Sequence, residues 1–223
     1  MPETVKRSRP PRTRRAERAE QTRRRIIDAA TALFTEVGYA GTTIEAIAGR
    51  ADVAVETVYS RFRNKLGLLD AILGPAIRGS DDGRAFSAQP ELAEIRACTD
   101  QRQQATLLAH FSRTVLQRSA QAHRILRTAA ASDPKAAALE QSDQESRRRG
   151  QELYIDLLLA NGPLRDGLTK ADAADTYAAL ASPETYAFLT EQRGWTPDRF
   201  EAWLADGLTL LLLPLDPSIR TPS

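Results

Sequence analysis

Residues 42–62 read TTIEAIAGRADVAVETVYSRF, and this stretch decides the fold. Thr42 with Glu45 three positions on has capping-box spacing and predicts a helix start. Ile44, Ile47 and Ala48 recur at helical steps and give an apolar face that ends near Ala51. Asp52-Val53-Ala54 breaks it. A further short helix is predicted over 55–62, with Val58 and Phe62 one turn apart and turned inward. Two such helices joined by a very short turn make a helix-turn-helix, whose second member has the size of a DNA major groove. With Val58 and Phe62 inside, Val55, Glu56, Thr57, Tyr59, Ser60 and Arg61 stay wholly or partly free. A glutamate can accept from cytosine N4, and a threonine methyl can meet that of thymine. Tyr59, Arg61 and Lys65 carry donors suited to phosphate oxygens, while Thr42, Thr43 and the amides of the first helix start add anchoring to the DNA backbone.

Upstream, Ile26, Ile27, Ala30, Leu33, Phe34 and Val37 form one helical face, and Gly38 stands where a left-handed helix end is expected. Residues 1–20 mix Arg, Pro, Ser and Thr and are expected to form a disordered basic arm. Downstream, Asn64-Lys65 opens a helix with the stripe Leu66, Leu69, Ile72 and Leu73, weakened at Gly74-Pro75. The rear half is predicted helical: a segment from Pro90, a stripe from Leu107 to about Ser119, and a separate segment over 120–131. A long helix follows from Asp133-Pro134 to Asn161-Gly162-Pro163, then one over 170–181. Ser182-Pro183 signals either a kink or a new helix, and Thr196-Pro197 starts the last one. No run alternates with period two, so the chain is expected to be all-α. The expected division is an arm over 1–20, a helix-turn-helix domain over 21–66 and a larger helical domain over 67–223.

Charge supports a division of labour. Residues 1–25 hold ten Lys/Arg against three Asp/Glu, whereas residues 79–223 carry sixteen against twenty. A basic front and a mildly acidic rear fit a polyanion-binding head on a body with another task, although a solvated extension gives the same count. Arg7, Arg9, Arg12, Arg14 and Arg15 suit either non-specific attraction or a flanking minor groove. The lone Cys98 has no disulfide partner, the run from Leu208 to Leu215 is too short to span a bilayer, and Met1-Pro2-Glu3 leads into no apolar segment. A reduced, cytoplasmic protein without membrane contact is expected.

These residues carry a resemblance. Arg25-Ile26-Ile27-Asp28-Ala29-Ala30, Leu33-Phe34, Gly38-Tyr39, Thr42-Thr43-Ile44, Ile47-Ala48, Val53, Thr57-Val58-Tyr59, Phe62, Lys65 and Leu68-Leu69 resemble the DNA-binding domain of TetR-type transcriptional regulators. The likeness covers about a quarter of the chain; a looser one extends to Ser182-Pro183-Glu184-Thr185-Tyr186 and Arg193-Gly194-Trp195. It implies a homodimer, usually a repressor, whose rear helices bind a small-molecule inducer that changes the spacing of the two heads. Carried over, Val55, Glu56, Thr57, Tyr59 and Ser60 face double-stranded DNA and Lys65 takes a phosphate. Two positions depart from the pattern: Asp52 replaces the usual turn glycine, and Ala54 replaces the usual capping Ser or Thr. Asp tolerates the left-handed conformation, while the lost cap costs about 1 kcal/mol.

In the rear domain Phe111, Val115, Ile125, Tyr154, Leu158 and Tyr177 are candidates either for a ligand cavity with polar tyrosine tips or for ordinary core. Phe200, Trp203, Leu204, Leu208, Leu211 and Leu212, with Tyr186 and Leu189, form a candidate subunit-pairing face. His110 and His123 lie far from metal-ligand spacing, and Cys98 is expected to be inert. No phosphate loop or hydrolase elbow appears, so neither cofactor, metal nor enzymatic activity is expected. The rival reading is a helical-bundle enzyme or small-molecule-binding protein without sequence-specific DNA binding.

Overall fold

The computed structural model describes residues 11–78 and 90–215; the expectations placed on residues 1–10 lie outside them. Among the described residues all regular structure is helical. The elements are α1 (Pro11–Glu36), α2 (Gly38–Gly41), α3 (Ile44–Arg50), α4 (Val55–Phe62), α5 (Lys65–Arg78), α6 (Pro90–Ala97), α7 (Gln101–Ala130), α8 (Pro134–Leu159), α9 (Lys170–Leu180), α10 (Pro183–Ala187), a π-helical turn (Phe188–Gln192) and α11 (Pro197–Leu212). They form two compact units, divided between Ile72 and Leu73 inside α5 rather than at the expected 66/67. Leu68 and Leu69, in the first unit, are completely buried. No helix among the described residues is long and apolar enough to cross a membrane.

The first unit begins earlier than its apolar pattern does. Residues 11–20, expected as arm, already belong to α1. Their Arg, Ala and Glu content has high helix propensity, Pro11 stands at a first-turn position, and the Arg24 Nε to Glu20 bond (3.3 Å) braces the next turn. Ile26, Ala30 and Phe34 are buried, as the periodicity predicts. Gly38 takes φ +79 and starts the one-turn α2, where a plain turn was expected. The expected capping box does not form, because the cap lies one residue later and Ala46 stands where the returning Glu would be needed. Thr43, extended at φ −109, ψ 159, caps α3 by accepting from the Ala46 amide, whereas Thr42 is buried and donates to the Gly38 carbonyl at 2.8 Å. Arg50 grips Glu36 through two bonds of 2.6 and 2.8 Å and so ties α3 to the end of α1.

In the second unit α7 packs against α6, α8, α10 and α11, and α9 packs on α8 and α11. Asp100, Asp133, Thr169, Ser182 and Thr196 each cap the helix that follows. The expected break near Ser119 is absent: α7 runs unbroken for 30 residues. Nothing in that stretch is Gly or Pro, and Ser119, Ala120 and His123 remain buried, so packing holds the helix together. Ser182-Pro183 starts a new helix, because the Ser182 hydroxyl accepts from the Thr185 amide at 2.9 Å. Nor does Pro75 end α5, which continues to Arg78.

The proposed pairing face needs correction. Phe200, Leu204, Leu208 and Leu212 are completely buried within their own chain, and Tyr186 nearly so, in a core shared with Leu108, Phe111 and Tyr177. The α11 stripe is covered because it lies against α7 and α9. Leu189 and Trp203 remain half-buried, Leu211 is exposed, and Phe188 and Leu210 join them at the surface.

Candidate nucleic-acid interface and second-unit cavity

The helix α4 occupies the predicted residues and orients them as the pattern requires. Val58 and Phe62 are buried, Val55 and Thr57 are half-buried, and Glu56, Tyr59, Ser60 and Arg61 are exposed. The turn before it is formed by Asp52 at φ +50, the left-handed geometry expected of the glycine substitute. Ala54 offers no side-chain cap, as its chemistry dictates. Arg25 reaches across to the Asp52 carbonyl at 3.5 Å. A feature without a sequence signal ends α4: Arg63 adopts φ +64, and its amide donates to the Tyr59 carbonyl at 2.9 Å. Arg63 and Arg61 are both exposed at this end of the helix.

Two residues expected at the DNA backbone serve the fold instead. Thr42 is buried, so its hydroxyl is withdrawn from any phosphate. The Lys65 ammonium donates to the carbonyls of Tyr39 (2.9 Å) and Thr42 (3.0 Å), and lies 4.6 Å from the centre of the Tyr39 ring. It closes the end of α2 rather than pointing at a ligand. Thr43 stays exposed, with its hydroxyl proton free for an acceptor after the oxygen has capped α3.

The second unit holds a partly open cavity of about 220 Å³ between α7, α8, α9 and the last turn of α5. Of the expected lining, Phe111, Val115, Tyr154 and Tyr177 are present; Ile125 and Leu158 are not, being packed away in the core. Tyr177 shares a short 2.5 Å hydrogen bond with Ser112, whose hydroxyl also lies 2.6 Å from the Leu108 carbonyl. Burial raises the pKa of both tyrosine phenols and keeps them protonated. At the turn of α5 facing the cavity, Arg118 donates to the carbonyls of Ala76 (2.8 Å) and Ile77 (2.7 Å), and Ile77 lines the wall.

A polar cluster forms one wall: Ser119 and His123 from α7, Asp143 and Arg147 from α8, of which sequence reasoning missed Ser119, Asp143 and Arg147. The His123 Nδ1 lies 2.9 Å from the Ser119 carbonyl, which can only accept, so Nδ1 carries a proton. Its Nε2 is 3.3 Å from Asp143 Oδ2 but out of line for a hydrogen bond. Arg147 Nε donates to the same Asp143 oxygen at 3.0 Å. Burial pushes the Asp143 carboxyl up, but His123 and then Arg147 outweigh it and hold the pKa below the usual aspartate value. Ser, His and Asp thus meet, yet not as a nucleophile relay. The imidazole nitrogen nearest Ser119 is spent on its carbonyl, which leaves the hydroxyl without a base.

An exposed two-turn helix held by two inward side chains behind a left-handed turn places the first unit among helix-turn-helix domains. Residues 26–72 match the family model described as bacterial regulatory proteins, tetR family, so the first unit carries a domain of that kind. The HTH-type transcriptional repressor KstR of Mycobacterium tuberculosis is 42% identical over 59 residues, 26% of this chain and 27% of its own. A regulator named YvkB from Bacillus subtilis is 44% identical over 52 residues, 23% of this chain and 28% of its own. The chain therefore matches little more than a quarter of the length of these relatives. Among solved structures, NalD of Pseudomonas aeruginosa, the secondary repressor of a multidrug efflux pump, has TM-score 0.65 at 24% identity, covering 88% of this chain and 98% of its own. The SmeT–triclosan complex has TM-score 0.62 at 23% identity, covering 91% and 96%. At these identities the likeness is one of fold: a helix-turn-helix domain followed by a larger helical domain.

Proposed function

We propose that this chain is a ligand-responsive transcriptional repressor that binds a pseudopalindromic DNA operator as a homodimer and is released by a small-molecule inducer. The observation that carries the reading is α4, whose Glu56, Thr57, Tyr59, Ser60 and Arg61 lie at or near the surface while Val58 and Phe62 anchor it. Glu56, Thr57 and Ser60 would meet base edges, with Val55 beside them. Tyr59, Arg61, Thr43 and Arg63 would hold phosphates. One short helix covers only a few base pairs, so selectivity needs two copies about 34 Å, one helical turn, apart.

The pairing surface is best supplied by Leu189, Trp203 and Leu211 of the original set, together with Phe188 and Leu210. Trp203 and Leu210 are seven apart on α11 and share a face, and Trp203 borders a groove with Phe188 and Leu189. The cavity is the effector site. One fold neighbour is a complex with triclosan, which supports a small-molecule effector here. A ligand favouring one arrangement of Ile77 acts on α5, a helix continuous with the first unit, and lowers DNA affinity by its differential affinity for the two states.

Selection of bound duplexes from a random pool tests the reading. An enriched inverted repeat is expected, and Thr57→Ala should relax the preference at a few positions while leaving the salt slope intact. Protection of a non-palindromic site by a monomer, or equal loss on all sequences from Thr57→Ala, refutes it.

A further inference from the structure

We infer that the effector cavity selects a neutral aromatic compound bearing a hydroxyl, a phenol, over its uncharged isostere and over charged analogues; this rests on the cavity being the effector site. The starting point is two buried polar atoms that make no hydrogen bond, although one of them, His123 Nε2, lies 3.3 Å from Asp143 Oδ2. Ser119 Oγ and His123 Nε2 make no hydrogen bond to the described residues, and both residues, at 0% and 6% exposure, lie on the cavity wall on successive turns of α7. A buried polar group left in that state is costly, so a ligand that satisfies it gains affinity that an apolar one does not.

The unpaired atoms fix the chemistry of the ligand's polar end. The serine oxygen can donate or accept. Nε2 offers a lone pair when the ring is neutral and a proton when it is charged. A hydroxyl matches every one of these states, because it donates and accepts through a single atom. A charge is disfavoured: the Asp143 carboxylate already lies 3.0 Å from Arg147 Nε and 3.3 Å from His123 Nε2, so an added cation would compete with these groups for it and an added anion would be buried beside the carboxylate itself. The other walls fix the body. Phe111, Tyr154 and Tyr177 form an edge-to-face and tilted aromatic cluster, with centroids 6.0 and 5.4 Å apart. The volume of about 220 Å³ exceeds the roughly 150 Å³ apolar cavity that accepts a benzene ring, so a substituted single ring fits.

The test is calorimetry on the full chain with four probes of one shape: 4-ethylphenol, 4-ethyltoluene, 4-ethylbenzoate and 4-ethylbenzylammonium. The phenol is expected to bind at least ten-fold more tightly than each of the others. Ser119→Ala and His123→Phe should bring phenol and toluene within about two-fold of each other while toluene binding persists, which shows that the cavity is intact. Equal binding of phenol and toluene to the unaltered chain, a preference for either ion, or no binding by any probe overturns the inference. Anisotropy of a selected operator duplex is measured in parallel. Operator binding with no phenol preference sinks this inference alone, whereas phenol preference with no sequence-selective duplex binding sinks the repressor reading and leaves the cavity chemistry standing.

Discussion

Lys65→Met separates two roles that the sequence could not tell apart. The side-chain stem is kept and the ammonium removed, so the bonds to the Tyr39 carbonyl (2.9 Å) and the Thr42 carbonyl (3.0 Å) disappear with the contact over the Tyr39 ring. Hydrogen bonds from a charged donor contribute about 1.5–3 kcal/mol each when buried. Lys65 is half-buried, so about 1 kcal/mol each is appropriate, and the cation–π contact adds about 0.5 kcal/mol. A loss of about 2.5 kcal/mol corresponds to roughly 60-fold in an opening equilibrium. Native-state hydrogen exchange on the full chain should therefore show amides around Tyr39, Thr42 and the start of α3 exchanging about 60-fold faster, with α7 unaffected. DNA affinity should fall only as far as the domain opens, with the salt slope unchanged. Wild-type exchange together with a slope reduced by about 0.9, one phosphate, would show that the lysine serves DNA and that the internal tie is worthless.

Three further substitutions probe the framework. A Cβ at Gly67 would lie 2.0 Å from the Phe62 carbonyl oxygen, so Gly67→Ala should destabilise by about 2 kcal/mol in urea melts despite the better helix propensity of Ala; stabilisation by about 1 kcal/mol, the propensity gain alone, would refute the close approach. Tyr177→Phe should cost about 1 kcal/mol, since Ser112 keeps its contact with Leu108; an unchanged melt would deny the Tyr177–Ser112 bond any weight. Because folding lowers the Asp143 pKa, its stabilisation is complete above the ordinary aspartate value of about 3.9 and is lost as pH falls through the folded value. Asp143→Asn should therefore fall below the unaltered chain in urea midpoint at pH 6 and approach it at pH 3, and a constant gap would contradict the ion pair.

How much could be read in advance depended on whether the deciding contacts were local. The span and inward face of α4 follow from Val58 and Phe62 one turn apart, and the left-handed Asp52 follows from its place in a short turn. Thr42 and Thr43 are both competent caps and both extended; what separates them is that the Thr42 hydroxyl turns back to the Gly38 carbonyl while the Thr43 hydroxyl meets the Ala46 amide. The same limit hid Lys65, because the carbonyls it binds lie 26 and 23 residues upstream. His123 and Asp143 belong to different helices, and no spacing along one chain segment brings them to 3.3 Å. Periodicity marked the α11 stripe correctly as apolar, but a stripe does not name what covers it; α7 and α9 do so here.

The division of α4 into two anchoring side chains and an outward set has an evolutionary consequence. Substitutions at Glu56, Tyr59, Ser60 or Arg61 leave the buried Val58 and Phe62 untouched, so they should alter target choice at little thermodynamic cost. A gene duplicate of this chain could therefore drift to a new DNA target by exchanging a few surface residues while keeping its scaffold.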